Sequence, residues 1–137
     1  MKHLFMLALF VASFSAFADS IVVTEAWIKN LPPSVPMRAG YMKLENTSAK
    51  SLSIVGVESE LFMQVDIHET VKKNGMMSMQ PVPVLSIPAG TAVELAPGGM
   101  HLMMMKPKET LKPGDQVSIT LQFDDDSTQT LQMTVKK

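Results

Sequence analysis

The sequence predicts an all-β domain, a sandwich or a closed barrel. Three observations lead there. Short apolar runs recur between turn signals built from Gly, Pro, Asn and Asp. The last third of the chain alternates apolar and polar residues with period two. No segment past the N-terminal leader carries the i, i+3, i+4 apolar spacing of a helix.

Taken in order, Ile21-Val22-Val23 opens the domain. Residues 30–38, with Pro32, Pro33 and Pro36, read as an ordered loop. Strands are expected over 39–45 and 52–57, separated by Asn46-Thr47-Ser48. Residues 65–70 and 76–80 form a hairpin around Lys73-Asn74-Gly75. A strand at 92–95 lies between Pro88-Ala89-Gly90 and Pro97-Gly98-Gly99, and another at 101–105 follows the second turn. Lys112-Pro113-Gly114-Asp115 leads into 117–123, where Val117, Ile119, Leu121 and Phe123 share one face. Leu131, Met133 and Val135 repeat the pattern after the turn at 124–127, and Trp27 is expected in the core.

A length of 137 residues suits one domain. Lys2, the apolar stretch at 4–17 and Ala16-Phe17-Ala18 predict a signal peptide over residues 1–18 and a mature β domain over 19–137. The apolar stretch is shorter than the ~20 residues that span a bilayer, so no membrane span is expected after cleavage. The chain contains no cysteine. That removes a disulfide framework, a thiol redox centre, a Cys nucleophile, a blue-copper site and lipid attachment through an N-terminal Cys. A formal charge of −1 with no basic patch argues against nucleic acid.

Thirteen methionines are the compositional anomaly, and seven of them lie between Met76 and Met105. His68 alternates with Val65 and Ile67 and so points away from their face. A four-residue hairpin loop sets His68 opposite Met79; a two-residue loop at Asn74-Gly75 moves the pair one diagonal apart on the same face. His101 and Met103, one residue apart, project to the same side of their strand. Two segments thus each offer an imidazole and a thioether, a set that suits Cu(I); Zn²⁺ prefers thiolates, carboxylates or more imidazoles, and Ca²⁺ prefers oxygen. On these residues alone the plain alternatives stand beside that reading: methionine as filler, His68 as a surface residue, His101 as a turn residue.

The spacing H-x10-M-x21-H-x-M from His68 through Met79 and His101 to Met103 resembles the signature of the PCu(A)C family, DUF461-type periplasmic copper chaperones. The surroundings are similar too, in Ile87-Pro88-Ala89-Gly90, Pro97-Gly98-Gly99 and Leu111-Lys112-Pro113-Gly114-Asp115, and upstream in Ala26-Trp27, Pro32-Pro33, Gly40-Tyr41 and Asn46. The resemblance implies a cupredoxin-like Greek-key β-sandwich or barrel in the periplasm. It implies one Cu(I) per chain, held by His68, Met79, His101 and Met103. It also implies a carrier that delivers copper toward the Cu(A) subunit of cytochrome c oxidase, with Sco-type proteins as further partners; no catalytic role is needed, and a monomer is expected. The chain departs from the pattern twice. Glu69 stands where some members have a Met, and Val135-Lys136-Lys137 replaces a His- and Met-rich tail, so a second, Cu(II) site of that kind is not expected. Met77 shares parity with Met79, and Met105 with Met103, as supporting sulfurs; Met104 and Met133 are expected to pack inside. Copper sequestration without a recipient, a hydrolase and a metal-free structural sandwich are the competing functions. No nucleophile-elbow motif supports the hydrolase.

Overall fold

A computed structural model describes residues 20–137. The expected signal peptide and its cleavage site lie outside the described residues. Ten strands run in order: β1 (Ile21–Lys29), β2 (Met37–Asn46), β3 (Leu52–Glu58), β4 (Phe62–Lys73), β5 (Met76–Pro81), β6 (Leu85–Ile87), β7 (Ala92–Leu95), β8 (Met100–Pro107), β9 (Gln116–Phe123) and β10 (Thr128–Lys136). The described residues contain no helix, as the missing helical periodicity predicts.

The strands pair as β4-β8-β2-β1-β10-β9-β3, and a single β3–β4 pair, Val57 with Val65, closes this ring of seven. β5, β6 and β7 lie outside the ring, paired with β4, β3 and β2 respectively. β1 and β10, the two ends of the domain, run parallel; the other pairings are antiparallel.

Alternation builds the core. Val117, Ile119, Leu121 and Phe123 on β9 all point inward, with Met133 and Val135 from β10. Leu102 and Met104 on β8 are completely buried and face Val65 and Ile67 of β4. Gly40 on β2 permits this packing, because a Cβ there would lie 3.1 Å from the Met133 methyl and 3.2 Å from the Met104 sulfur. Asn46, fully buried, ties the 88–91 loop to the end of β2. Its Nδ2 donates to the carbonyls of Ile87 and Lys50, both at 2.8 Å, while its backbone exchanges 2.9 Å bonds with Gly90 and Thr91.

Trp27 differs from expectation. It belongs to no part of the core cluster and is half-buried on the outer face. The cause is a bulge between Thr24 and Trp27, where Glu25 takes a left-handed φ of 53°. One extra residue reverses the parity of β1, so Ile28 takes the inward position and Trp27 is re-aimed outward against Tyr41. Their ring centroids lie 4.8 Å apart.

The hairpin that carries Met79 closes by the shorter of the two anticipated loops. Lys73 pairs with Met76 across Asn74-Gly75, whose φ angles of 52° and 76° fit a type I′ turn. Gly75→Ala forces a Cβ into that left-handed position at a cost of about 1 kcal/mol. The expected outcome is roughly fivefold faster amide hydrogen exchange in β5, with β9 and β10 unchanged.

Candidate metal centre

β4 and β8 are antiparallel neighbours, and their register sets His68 directly opposite His101. The imidazole centroids are 6.2 Å apart with planes inclined at 30°. Two residues along, Asp66 faces Met103; on the other side of β4, Met79 faces Thr70. Met79 is therefore diagonal to His68 on the same face, at the ~7–8 Å that long side chains bridge. The four residues singled out in the sequence come together on one outer face, carried by three adjacent strands.

The packing inside the sheet sets this up. Leu102 faces the core and so directs its neighbours His101 and Met103 outward, while Ile67 does the same for His68. Burial is graded across the set. His101 is 5 % exposed, His68 and Met103 are half-buried, and Met79 is 53 % exposed. Every residue of β5 is exposed, so the face opens to solvent at Met79.

The hydrogen-bond inventory distinguishes the two imidazoles from ordinary buried histidines. His68 Nδ1 and His101 Nε2 are both buried without a hydrogen-bond partner. Orphaned buried polar atoms are few in folded proteins and call for an explanation. On His101 the other nitrogen, Nδ1, lies 3.5 Å from the Gly99 carbonyl oxygen. A carbonyl accepts only, so this contact favours the proton on Nδ1 and leaves the Nε2 lone pair free for a Lewis acid. Among the described residues no three His, Cys, Asp or Glu side chains are placed to hold a metal. An ion taken up by the two imidazoles has the neighbouring thioethers, which are soft and uncharged, to complete its shell.

Asp66 stands next to this set, held by a 2.5 Å bond from Gln64 Nε2. Its parity with His68 in the sequence already places it on that face. A surface groove of about 830 Å³ lies along the β3–β4 seam; it includes Asp66 but none of the two histidines and two methionines.

Tyr41 follows Gly40, the partner of Leu102, and so flanks His101 on the outer face. It is 9 % exposed, and burial raises its phenol above the ordinary value. Because the folded state holds this proton more tightly than the unfolded chain, the associated stability is fully present below the unfolded pKa and is lost as pH rises from there through the folded one. The chain has one tyrosine. Its phenolate absorbance is expected to titrate at higher pH in the folded protein than after denaturation.

The LpqE-like family model matches residues 21–135. Lxx21020 of Leifsonia xyli subsp. xyli (strain CTCB07), which carries a lipoprotein name, is 38 % identical over 120 residues, covering 87 % of this chain and 71 % of its own. The uncharacterized protein RP573 of Rickettsia prowazekii (strain Madrid E) is 33 % identical over 99 residues, 72 % of this chain and 55 % of its own, so this chain spans about half of that relative. Among solved structures, Cu(I)-DR1885 from Deinococcus radiodurans is 36 % identical with a TM-score of 0.70, over 92 % of this chain and 83 % of that one. The copper-bound PCuAC domain of PmoF2 has a TM-score of 0.72 at 20 % identity, over 85 % and 92 %, a likeness of fold. The all-β barrel is thus of the cupredoxin-like kind found in PCuAC domains.

Proposed function

The chain belongs to the LpqE-like family, and from that premise we propose that it is an extracytoplasmic, non-enzymatic carrier of Cu(I). In this reading one ion binds through His68 Nδ1, His101 Nε2 and the sulfurs of Met79 and Met103. The observation that carries the reading is the pair of orphaned imidazole nitrogens on facing strands, with a thioether beside each. The copper-bound relatives of the same fold support it.

The graded burial suggests how the cargo moves. His101 and Met103, on a strand flanked by β4 and β2, form the fixed half of the site. Met79 sits on the exposed edge strand and is the ligand that yields first to an incoming donor. An exposed soft ligand lets a partner's sulfur enter before the imidazoles let go, so copper passes by ligand exchange and is never free. Thioethers bind without losing a proton, so acid weakens the site only by protonating the two imidazoles. Affinity is expected to fall as pH is lowered, and Met79→Leu is expected to leave that pH dependence in place. Cu(I) titrations against a chromophoric competitor at several pH values check both.

The recipient proposed is the Cu(A) subunit of cytochrome c oxidase, reached directly or through a Sco-type protein, and the compartment is the periplasm. The chain as it stands has no cysteine for lipid attachment, and no helix among the described residues is long and apolar enough to cross a membrane. Mixing the Cu(I)-loaded protein with an apo Cu(A) domain tests delivery. Copper should leave the carrier, and a deletion strain should lose oxidase activity at low copper. A deletion strain that loses only copper tolerance would favour sequestration instead.

A further inference from the structure

Met37, Met103 and Met105 are half-buried, yet none of them belongs to the core cluster or to the side chains packed against it. Core packing accounts for Met42, Met100, Met104 and Met133; it does not account for these three. All three lie on the outer face, because their neighbours Arg38, Leu102 and Met104 are buried on the inner one. Met37 and Met105 are direct cross-strand partners, which sets their Cβ atoms ~5 Å apart. Met103 follows on the same face of β8, two residues nearer to His101.

The backbone at this corner is held firmly. Lys106 N donates to the Pro36 carbonyl at 2.7 Å, and Arg38 Nη1 donates to the carbonyls of Val35 and Met37 at 2.7 and 2.8 Å. Thioethers carried on a backbone held in this way, on a surface the core does not use, are soft donors open to a metal ion.

We propose that Met37 and Met105 form a second, weaker Cu(I) site, contiguous with the first through Met103. An all-thioether site lacks the σ-donating imidazoles, so it holds copper less tightly. Its position makes it a loading step from which the ion passes to Met103 and the histidines. The proposal goes beyond the carrier reading above but shares Met103 with it.

Competitive titration with Cu(I) alone, using chelators of graded affinity, tests it. The full mature chain should bind two equivalents, the second at least about tenfold weaker. The Met37→Leu/Met105→Leu double variant, nearly volume-conserving, should bind one equivalent only, the tight one. His101→Ala should lose the tight equivalent and keep the weak one. A wild-type chain that saturates at one equivalent, or a double variant that still takes two, overturns the second site. A tight equivalent that survives His101→Ala would instead sink the primary reading. In the wild type, methionine-methyl NMR should show the Met37 and Met105 signals moving with the second equivalent; signals that stay fixed also overturn the proposal.

Discussion

His101→Ala is expected to weaken tight Cu(I) binding by at least about 100-fold, since even outer-shell partners of metal ligands are worth 10–100-fold. The opposite expectation holds for stability without copper. His101 is 5 % exposed and its Nε2 has no partner, so the apo fold bears a desolvated nitrogen of about 1–3 kcal/mol. Replacing the ring by Leu removes that liability while keeping apolar volume. His101→Leu should therefore melt no lower than wild type in the absence of metal, yet lose the stabilisation that the tight Cu(I) equivalent gives the wild type. A wild-type site at 100 times its Kd gains about 2.7 kcal/mol. If His101 were a structural residue the pattern would reverse, with the apo protein destabilised and the copper-induced shift intact. Thermal melts of both variants with and without Cu(I), alongside competitor titration, separate the two.

Leu102→Ala is expected to cost 2–5 kcal/mol of folding stability. The side chain is completely buried between the two outward-facing donors of β8 and packs inside the ring. The substitution leaves a cavity on the inner face and touches no candidate ligand. Folded molecules should keep Cu(I) affinity within a few-fold, because β8 remains paired with β4 and β2 through its backbone. Denaturant unfolding should show a lowered midpoint, which saturating Cu(I) partly restores by mass action. Loss of affinity matching the loss of stability would mean that the two faces of β8 are coupled more closely than the register suggests.

Much of this was legible in the sequence because burial imposes period two. The parity that placed Val117, Ile119, Leu121 and Phe123 inside also turned His68, His101 and Met103 outward, and Met104 and Met133 are buried as expected. What the sequence concealed has physical causes. The direct opposition of His68 and His101 depends on β4 and β8 pairing across 33 residues, a tertiary choice that no local pattern encodes. Trp27 was misplaced because a one-residue bulge at Glu25 inverts parity and leaves no compositional mark. β6, three residues between Pro83 and Pro88, is too short to show alternation. The hairpin register turned on whether Asn74-Gly75 or a longer loop closed it, and the left-handed φ angles of both residues decide for the shorter. Met37 drew no notice because its pairing with Met105 also crosses a long stretch of chain.

In the proposed site two imidazoles and two thioethers on three adjacent strands share one Cu(I) ion. X-ray absorption of the protein loaded with one equivalent of Cu(I) tests it most directly. The expected result is a mixed first shell of nitrogen and sulfur, with sulfur lost stepwise in Met79→Leu and Met103→Leu and nitrogen lost in His68→Ala and His101→Ala. A shell without sulfur, or one unchanged by all four substitutions, would contradict it.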